Sequence, residues 1–337
     1  MSESKDLLAR NVAIRAGIEG SRLTLSARSR AVASFDRLLG ASMDIFTAAL
    51  EGNAEKARAK TAIEIRIMQE AQKASVAPLG RSETPGGMLW GGLVLSEARK
   101  SINRSAVAIE ALEELNSQSH KDQSPEDISA EIGADYIDED WMNIFVRFSE
   151  DASSDYLQGI WGRILAGEIR RPRAFSSRTL RFIHELDKNT ASLCELLAKN
   201  VVGNLAFIED SSNSVMNYQS QVELETLGLI YGVSRIGGPV LNVNINEQGV
   251  GFFHGRRLSL VIYGKEGNVQ KVPAIMLTQI GIEVMSLLPL GEESTLLMRM
   301  KDQISKEGIS RIGLGEKLVQ ADGRILVQNI TDIWIAD

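Results

Sequence analysis

The spacing of the apolar residues changes near residue 220, and this change does most to restrict the possible folds. Before it, apolar residues recur at helical spacing. Residues 93–115 are the clearest case, with one apolar stripe formed by Leu95, Ala98, Ile102, Ala106, Ile109 and Leu112. After it, segments such as PVLNVNIN (239–246) and RLSLVIYG (257–264) show β-branched residues, alternation and glycine turns. We therefore predict a mainly α protein, with a helical N-terminal region and central bundle followed by a C-terminal α+β module.

One break in the helical pattern separates the first predicted domain from the rest. Residues 75–87, SVAPLGRSETPGG, hold two prolines and three glycines, which disfavour helix. A chain of 337 residues is long enough for two or three compact units. We predict an N-terminal helical region at 1–80, a central helical domain at 88–205 and a C-terminal domain at 206–337. We also expect 88–337 to fold without the first region.

Residues 161–183, WGRILAGEIRRPRAFSSRTLRFI, concentrate positive charge and are called the basic corner below. They hold six arginines and one acid, Glu168. The spacing of Trp161 to Ile164 and Leu165 predicts a buried helix face. Arginines are favoured in the last turn of a helix, and Pro172 then stops the helix. We therefore predict two helices that meet at a sharp turn.

Three interpretations of the basic corner remain open. Residues 110–160 hold fourteen acids and two bases, so the corner could pair with this acidic stretch. The second interpretation is a phosphate or nucleic-acid footprint, although IRRPR has no interleaved aromatic residues. The third is a protein–protein surface. The candidate contact residues are Arg170, Arg171, Arg173 and Arg178.

A set of residues in this stretch resembles the central signature of a bacterial family, domain of unknown function 2806. The residues are Trp161, Leu165, Ala166, Gly167, Glu168, Pro172, Phe175, Ser176, Arg178, Thr179 and Leu180. The resemblance covers roughly residues 93–300, and a similar arrangement occurs in the abortive-infection alpha family. It implies no established activity, but it favours a prophage or phage-defence context.

The C-terminal part is similar to a winged helix, because LETLGLI is followed by strands and then by LTQIGIEVMSLL. In such domains a recognition helix reads DNA and a β-hairpin wing touches phosphate. The segment before it, DSSNSVMNYQSQVELETL, has no Lys or Arg. The wing candidate contains Arg256 and Arg257. A winged-helix fold is therefore expected, whereas DNA reading by that helix is disfavoured.

The residues that usually carry catalysis or metal binding are few and scattered. His120, His184 and His254 lie far apart in sequence, and the lone Cys194 sits in an apolar helical run. The glycines do not form a phosphate-binding loop. We therefore expect no cofactor and no metal, and the sequence identifies no small-molecule substrate.

The sequence also restricts location. The longest apolar stretch, residues 86–95, is about half of a bilayer span, and the N-terminus has no signal-peptide pattern. We expect a cytoplasmic protein without a membrane helix. Our leading hypothesis is a non-enzymatic regulatory or protein-interaction component that binds a protein partner or itself. The alternative is a nucleic-acid-binding protein that uses the basic corner and the wing, and an enzyme with an unrecognised site comes third.

Overall fold

The computed structural model describes residues 23–52, 56–76, 85–117, 136–208, 216–233, 240–320 and 322–336. The chain divides into two compact units, residues 1–184 and residues 185–337. The predicted linker falls largely outside the described residues, since one helix ends at Val76 and the next begins at Pro85. The three predicted domain ranges stay predictions.

The first unit is helical throughout its described residues. Its helices are α1 (Leu25–Leu39), α2 (Met43–Gly52), α3 (Lys56–Val76), α4 (Pro85–Ser117), α5 (Glu139–Ser149), α6 (Asp155–Arg170) and α7 (Ser177–His184), with a 3-10 turn at Gly40–Ser42. Side-chain oxygens cap several N-termini, as Asp138 does for α5 and Ser154 for α6. These caps satisfy backbone N–H groups that have no partner inside the helix.

Helix α4 lies at the centre of this unit and packs against α1, α3, α5 and α6. The crossing of α4 and α6 is close because Gly162 has no side chain; an added Cβ would overlap Glu110 and the backbone of Ala111. Trp161 is 1 % exposed and meets Phe145 edge to face, with ring centroids 5.4 Å apart. The prediction that Trp161 lies in the core is confirmed.

The N-terminal helices share this core. Phe35 and Leu38 of α1 are fully buried, and the side chain of Arg30 donates a hydrogen bond to the backbone oxygen of Ile169 at 2.8 Å. On α3, Lys56 and Lys60 both contact the Glu110 carboxylate of α4, at 2.7 and 2.8 Å. Helices α1 and α3 therefore cover the α4–α6 pair within one compact unit.

The second unit combines helices with antiparallel strands. Its elements are α8 (Lys188–Ala198), β1 (Val201–Val202), β2 (Leu205–Phe207), α9 (Tyr218–Thr226), β3 (Ile230–Tyr231), β4 (Val240–Asn244), β5 (Val250–His254), β6 (Leu258–Gly264), β7 (Val269–Leu277), α10 (Gln279–Met285), α11 (Glu293–Gln303), β8 (Ile309–Val319) and β9 (Ile325–Ile335). The mainly α class with a C-terminal α+β module is confirmed. Strands begin at Val201, earlier than the predicted change near residue 220.

Two antiparallel sheets share one core in this unit. In the first, β7 pairs with β2, β3 and β4, and β1 pairs with β2. In the second, the order is β5-β6-β8-β9. Phe207 and Val243 of the first sheet, Phe253 and Leu260 of the second, and Leu297 of α11 belong to one buried cluster. Helix α11 therefore packs between strands of both sheets.

Candidate binding surface at the basic corner

The basic corner is the junction of α6 and α7. Helix α6 ends at Arg170, and the backbone of Arg171 leaves the helical conformation with φ −134° and ψ 99°. Pro172 follows at once and has no N–H with which to continue the helix. Helix α7 begins at Ser177, and the Ser176 hydroxyl accepts from the backbone N–H of Thr179 at 3.3 Å. The predicted sharp turn between two helices is confirmed.

A buried carboxylate holds the turn in place. Glu168 is 2 % exposed, and its carboxylate accepts hydrogen bonds from the backbone N–H of Arg173 at 2.6 Å and of Phe175 at 3.2 Å. Arg173 adopts a left-handed backbone with φ 68°, which is unfavourable for a residue with a side chain. The two hydrogen bonds to Glu168 offset this cost.

Phe175 fixes the turn against the rest of the unit. Its backbone oxygen accepts from the indole N–H of Trp141 at 2.8 Å. Its ring lies against Gly167, where an added Cβ would come within 2.7 Å of the ring. A larger residue at 167 would therefore push the turn off helix α6.

Most of the signature residues have a structural role. Trp161, Leu165, Ala166, Thr179 and Leu180 are buried, Gly167 makes room for Phe175, Glu168 binds the turn and Ser176 caps α7. Arg178 is the exception. Its side chain is exposed and makes no ion pair with any described residue.

The candidate arginines fall into two groups. Arg170 is half-buried, and its guanidinium donates to the backbone oxygen of Glu114 in α4. Its own backbone oxygen accepts from the Arg30 side chain at 3.1 Å. Arg171, Arg173 and Arg178 are exposed and form no ion pair within the described ranges. Arg170 is therefore part of the packing, whereas the other three face solvent.

The exposed cations extend along α7 beyond the predicted set. Arg181 is exposed, lies one helical turn after Arg178, and has no ion pair in the part of the chain that is described. His184 stacks on Phe148 of α5 with ring centroids 4.2 Å apart, and the Arg147 guanidinium lies 5.0 Å from the same ring. The i, i+3 spacing of Arg178 and Arg181 was the sequence signal for this extension.

One known family matches the part of the chain that contains these signature residues. The family model described as Protein of unknown function (DUF2806) matches residues 110–205. This match includes all the signature residues and is shorter than the predicted range of 93–300. No curated protein and no solved structure matches the chain.

Several acids of the DUF2806 match pair with lysines and arginines elsewhere in the first unit. Glu110 pairs with Lys56 and Lys60. Glu150 contacts Arg104 at 3.1 Å and Lys100 at 3.3 Å. Among the described residues, Arg171, Arg173 and Arg178 form no ion pair with an acid of 110–160, and pairing of the corner with this stretch otherwise stays a prediction. Residues 118–135, which hold several of these acids, lie outside them.

The Glu110 pair has an electrostatic consequence. Burial alone would raise the pKa of the Glu110 carboxyl, but hydrogen bonds from Lys56 and Lys60 outweigh it and leave that pKa lowered. The pKa of Lys56 is raised, because its hydrogen bonds to Glu110 and Glu113 outweigh burial. The pair therefore favours its ionised form.

The other two candidate arginines lie in the second unit, at the turn between β5 and β6. The Glu293 carboxylate accepts from the backbone N–H groups of Arg256, Arg257 and Leu258. The side chains of Arg256 and Arg257 are exposed. A buried glutamate thus fixes an arginine-bearing turn in each unit.

Cys194 and His254 both belong to the second unit. Cys194 is 2 % exposed, and burial, aided by Glu195, raises the pKa of its thiol to about 12. His254 contacts the Ser259 hydroxyl at 2.8 Å, and burial followed by the charge of Lys317 lowers its pKa. His120 lies outside the described residues.

The described residues contain no group of three or more His, Cys, Asp or Glu placed to hold a metal ion. Among them, no helix combines the length and the apolar character that crossing a membrane requires.

Proposed function

We propose that this protein is a non-enzymatic interaction component that holds an acidic partner protein through the basic corner. One observation carries the proposal: Arg171, Arg173, Arg178 and Arg181 are exposed and without ion pairs in the described residues, on a turn that Glu168 fixes. Four like charges on one corner repel each other, so an anionic partner gains from binding there.

The chemistry of arginine supports binding rather than catalysis. A guanidinium stays protonated at all ordinary pH values, so it does not act as a general base. Its planar N–H groups match a carboxylate or phosphate in a two-point contact. Because the turn is held by hydrogen bonds to its backbone, its position does not depend on the arginine side chains. The corner therefore presents these side chains without using them for folding.

The family resemblance supports a biological setting for this role. The likeness to the abortive-infection alpha family favours a component of phage defence or of a prophage.

Nucleic-acid binding is the second candidate, and the order of elements in the second unit favours it. The succession α8, β2, α9, β4, β7 is similar to a winged helix, in which two strands of a hairpin pair with an earlier short strand. The turn with Arg256 and Arg257 follows β4 and precedes β7 in the chain, but it joins β5 to β6 of the other sheet and is not the tip of a β4–β7 hairpin. In addition, α9 has the sequence YQSQVELET, with two acids and no base, and would repel phosphate. We therefore rank nucleic-acid binding second, after binding of a protein partner.

Binding measurements with charge-matched probes test the proposal. The full-length chain is titrated with a labelled Asp/Glu-rich peptide and with DNA and RNA oligonucleotides of the same net charge. We expect the peptide to bind more tightly than either nucleic acid. The triple variant Arg171→Gln, Arg173→Gln, Arg178→Gln should weaken peptide binding at least about tenfold, as loss of several charge-assisted contacts requires.

A matched control separates the corner from overall charge. The variant Arg66→Gln, Lys73→Gln, Arg99→Gln removes the same charge from exposed side chains of α3 and α4. We expect it to bind the peptide as the wild type does. Equal losses in both triple variants, or no peptide binding at all, would refute the proposal. If nucleic acid binds more tightly than the peptide, the second candidate is established instead. The slope of log K against log salt concentration should then become shallower in the corner variant, by roughly 0.9 for each lost phosphate contact.

A further inference from the structure

Strand β9 is the last strand of the sheet β5-β6-β8-β9, so one of its edges is unpaired in the described structure. It runs for eleven residues, Ile325–Ile335, and most of its side chains are exposed. Large exposed apolar residues lie along it: Ile325, Leu326, Ile330 and Ile335. A long apolar edge of this kind is a template for another strand.

Protection of the edge strand by charge is weak here. Natural edges carry charged side chains, especially lysine, which block a second strand. Strand β9, ILVQNITDIWI, has one charged residue, Asp332, and Arg311 of β8 contacts it at 3.3 Å. Charge therefore does little to oppose a neighbour.

The sequence of β9 points to the identity of that neighbour. It reads as three apolar residues, two polar, one apolar, two polar and three apolar, with Ile330 at the centre. The pattern is the same in both directions. An antiparallel neighbour of identical sequence therefore places apolar residues opposite apolar ones along the whole strand.

We propose that two copies of this chain associate through β9, in antiparallel pairing about a two-fold axis at Ile330. The two four-stranded sheets then form one continuous sheet. In this register Ile325 faces Ile335 of the second copy, and Leu326 faces its Trp334. Asp332 faces Gln328 of the second copy, so no like charges meet. Residues that lie directly opposite each other in an antiparallel pair project to the same face of the sheet.

The irregularities of β9 are compatible with this axis. The pairing of β9 with β8 shifts between Ile312 and Gly313 and between Leu314 and Glu316, and Asn329 has φ 52°. Such bulges bend a strand. A two-fold axis at the neighbouring Ile330 gives both strands the same bend, whereas an unrelated strand would have to match it independently.

The first experiment measures the oligomeric state of the full-length chain by sedimentation equilibrium. We expect a dimer. The variant Ile330→Lys should raise the dimer dissociation constant at least about tenfold, because it places two like charges at the axis. Phe252→Lys is the matched control, since Phe252 is as exposed as Ile330 but lies on β5, the opposite edge of the same sheet. Far-ultraviolet circular dichroism checks that both variants fold.

The second experiment tests the register by disulfide formation in the double variant Ile325→Cys, Ile335→Cys. Ten residues of strand separate these positions by about 33 Å within one chain, so a bond between them must join two copies. Each single variant has no cysteine opposite it in the proposed register. Cys194, the natural cysteine, is buried and does not compete.

We expect covalent dimers from the double variant and none from the singles. Covalent dimers from a single variant would mean parallel pairing and would overturn the proposal. A monomeric wild type, or a dimer that Phe252→Lys disrupts and Ile330→Lys does not, would overturn it as well.

Discussion

The sharpest test of the corner's construction is the substitution Glu168→Ala. This side chain is 2 % exposed and accepts the N–H groups of Arg173 and Phe175. Removing it leaves two backbone donors without their partner in a largely buried place. It also removes the interaction that holds the left-handed backbone of Arg173.

The expected loss follows from these contacts. A hydrogen bond to a charged group contributes about 1.5–3 kcal/mol. Two such bonds, one of them only partly buried, give a loss of about 3–5 kcal/mol in the free energy of unfolding for Glu168→Ala. Glu168→Gln keeps one acceptor oxygen and turns its amide towards the other donor, so about half of that loss is expected. The order of stability should be wild type, then Gln, then Ala.

Urea unfolding followed by far-ultraviolet circular dichroism measures these differences, because helices of the first unit dominate the signal. Glu113→Ala is the matched control. Glu113 forms an exposed ion pair with Lys56 at 2.9 Å, and such pairs contribute at most about 1 kcal/mol. If Glu168→Ala unfolds at the same urea concentration as the control, then Glu168 does not hold the turn and the reasoning is refuted.

Three further predictions follow from the first unit. Trp161→Ala should lower the free energy of unfolding by about 3–5 kcal/mol in urea titrations, and wild-type stability would show that this ring is not core. Glu110→Gln should lower the free energy of unfolding at neutral pH. This loss should shrink as the pH falls below 4.5, because the lowered pKa of the Glu110 carboxyl stabilises the folded state only while that carboxyl is ionised. A loss that persists in acid would contradict the ion pair. The fragment 88–337 should lack a cooperative helical melt, contrary to the expectation from the linker, because it exposes the faces of α4 and α6 that α1 and α3 cover; a sharp melt would support the expectation that 88–337 folds without the first region.

The linker illustrates a limit of sequence reasoning. Residues 77–84, between the end of α3 at Val76 and the start of α4 at Pro85, lie outside the described residues, so the interruption between helices stays a prediction. It is predicted from two prolines and three glycines. They do not reveal whether the helices on either side share a core. That depends on contacts such as Arg30 with Ile169, which join residues 139 positions apart.

The apolar stripe of α4 was predictable only in part. Ala98, Ala106, Ile109 and Leu112 are buried as expected, but Leu95 is exposed. Helical spacing identifies which face of a helix is apolar. It does not show how far along the helix other helices cover that face.

Strand β8 was not predicted from the sequence. The glycines of GISRIGLGEK (308–317) disfavour a strand, yet Ile309–Val319 is one. Added Cβ atoms at Gly313 and Gly315 would lie 2.5 Å from Ile330 and 2.6 Å from Val327 of β9. These glycines therefore make room for the side chains of the neighbouring strand.

The basic corner was located from sequence, but the roles of its residues were not separated. Arg170 and Arg171 are adjacent in sequence, yet Arg170 is in the helix and contacts Glu114, while Arg171 lies beyond the helix end and is exposed. In the sequence, Glu168 is the only acid among six arginines, and this pattern indicates only a counter-charge. Its role as an acceptor for backbone N–H groups depends on its burial, which no local pattern specifies.

The central claim is that the fold holds the corner through Glu168 and leaves its exposed arginines free for a partner. The most direct test is the free energy of unfolding of the variant Arg171→Gln, Arg173→Gln, Arg178→Gln, measured beside Glu168→Ala. Exposed substitutions each change stability by about 0.5 kcal/mol or less, so we expect a total change within about 1.5 kcal/mol. A loss as large as that of Glu168→Ala would show that the arginines support the fold, and would contradict the claim that they are available for binding.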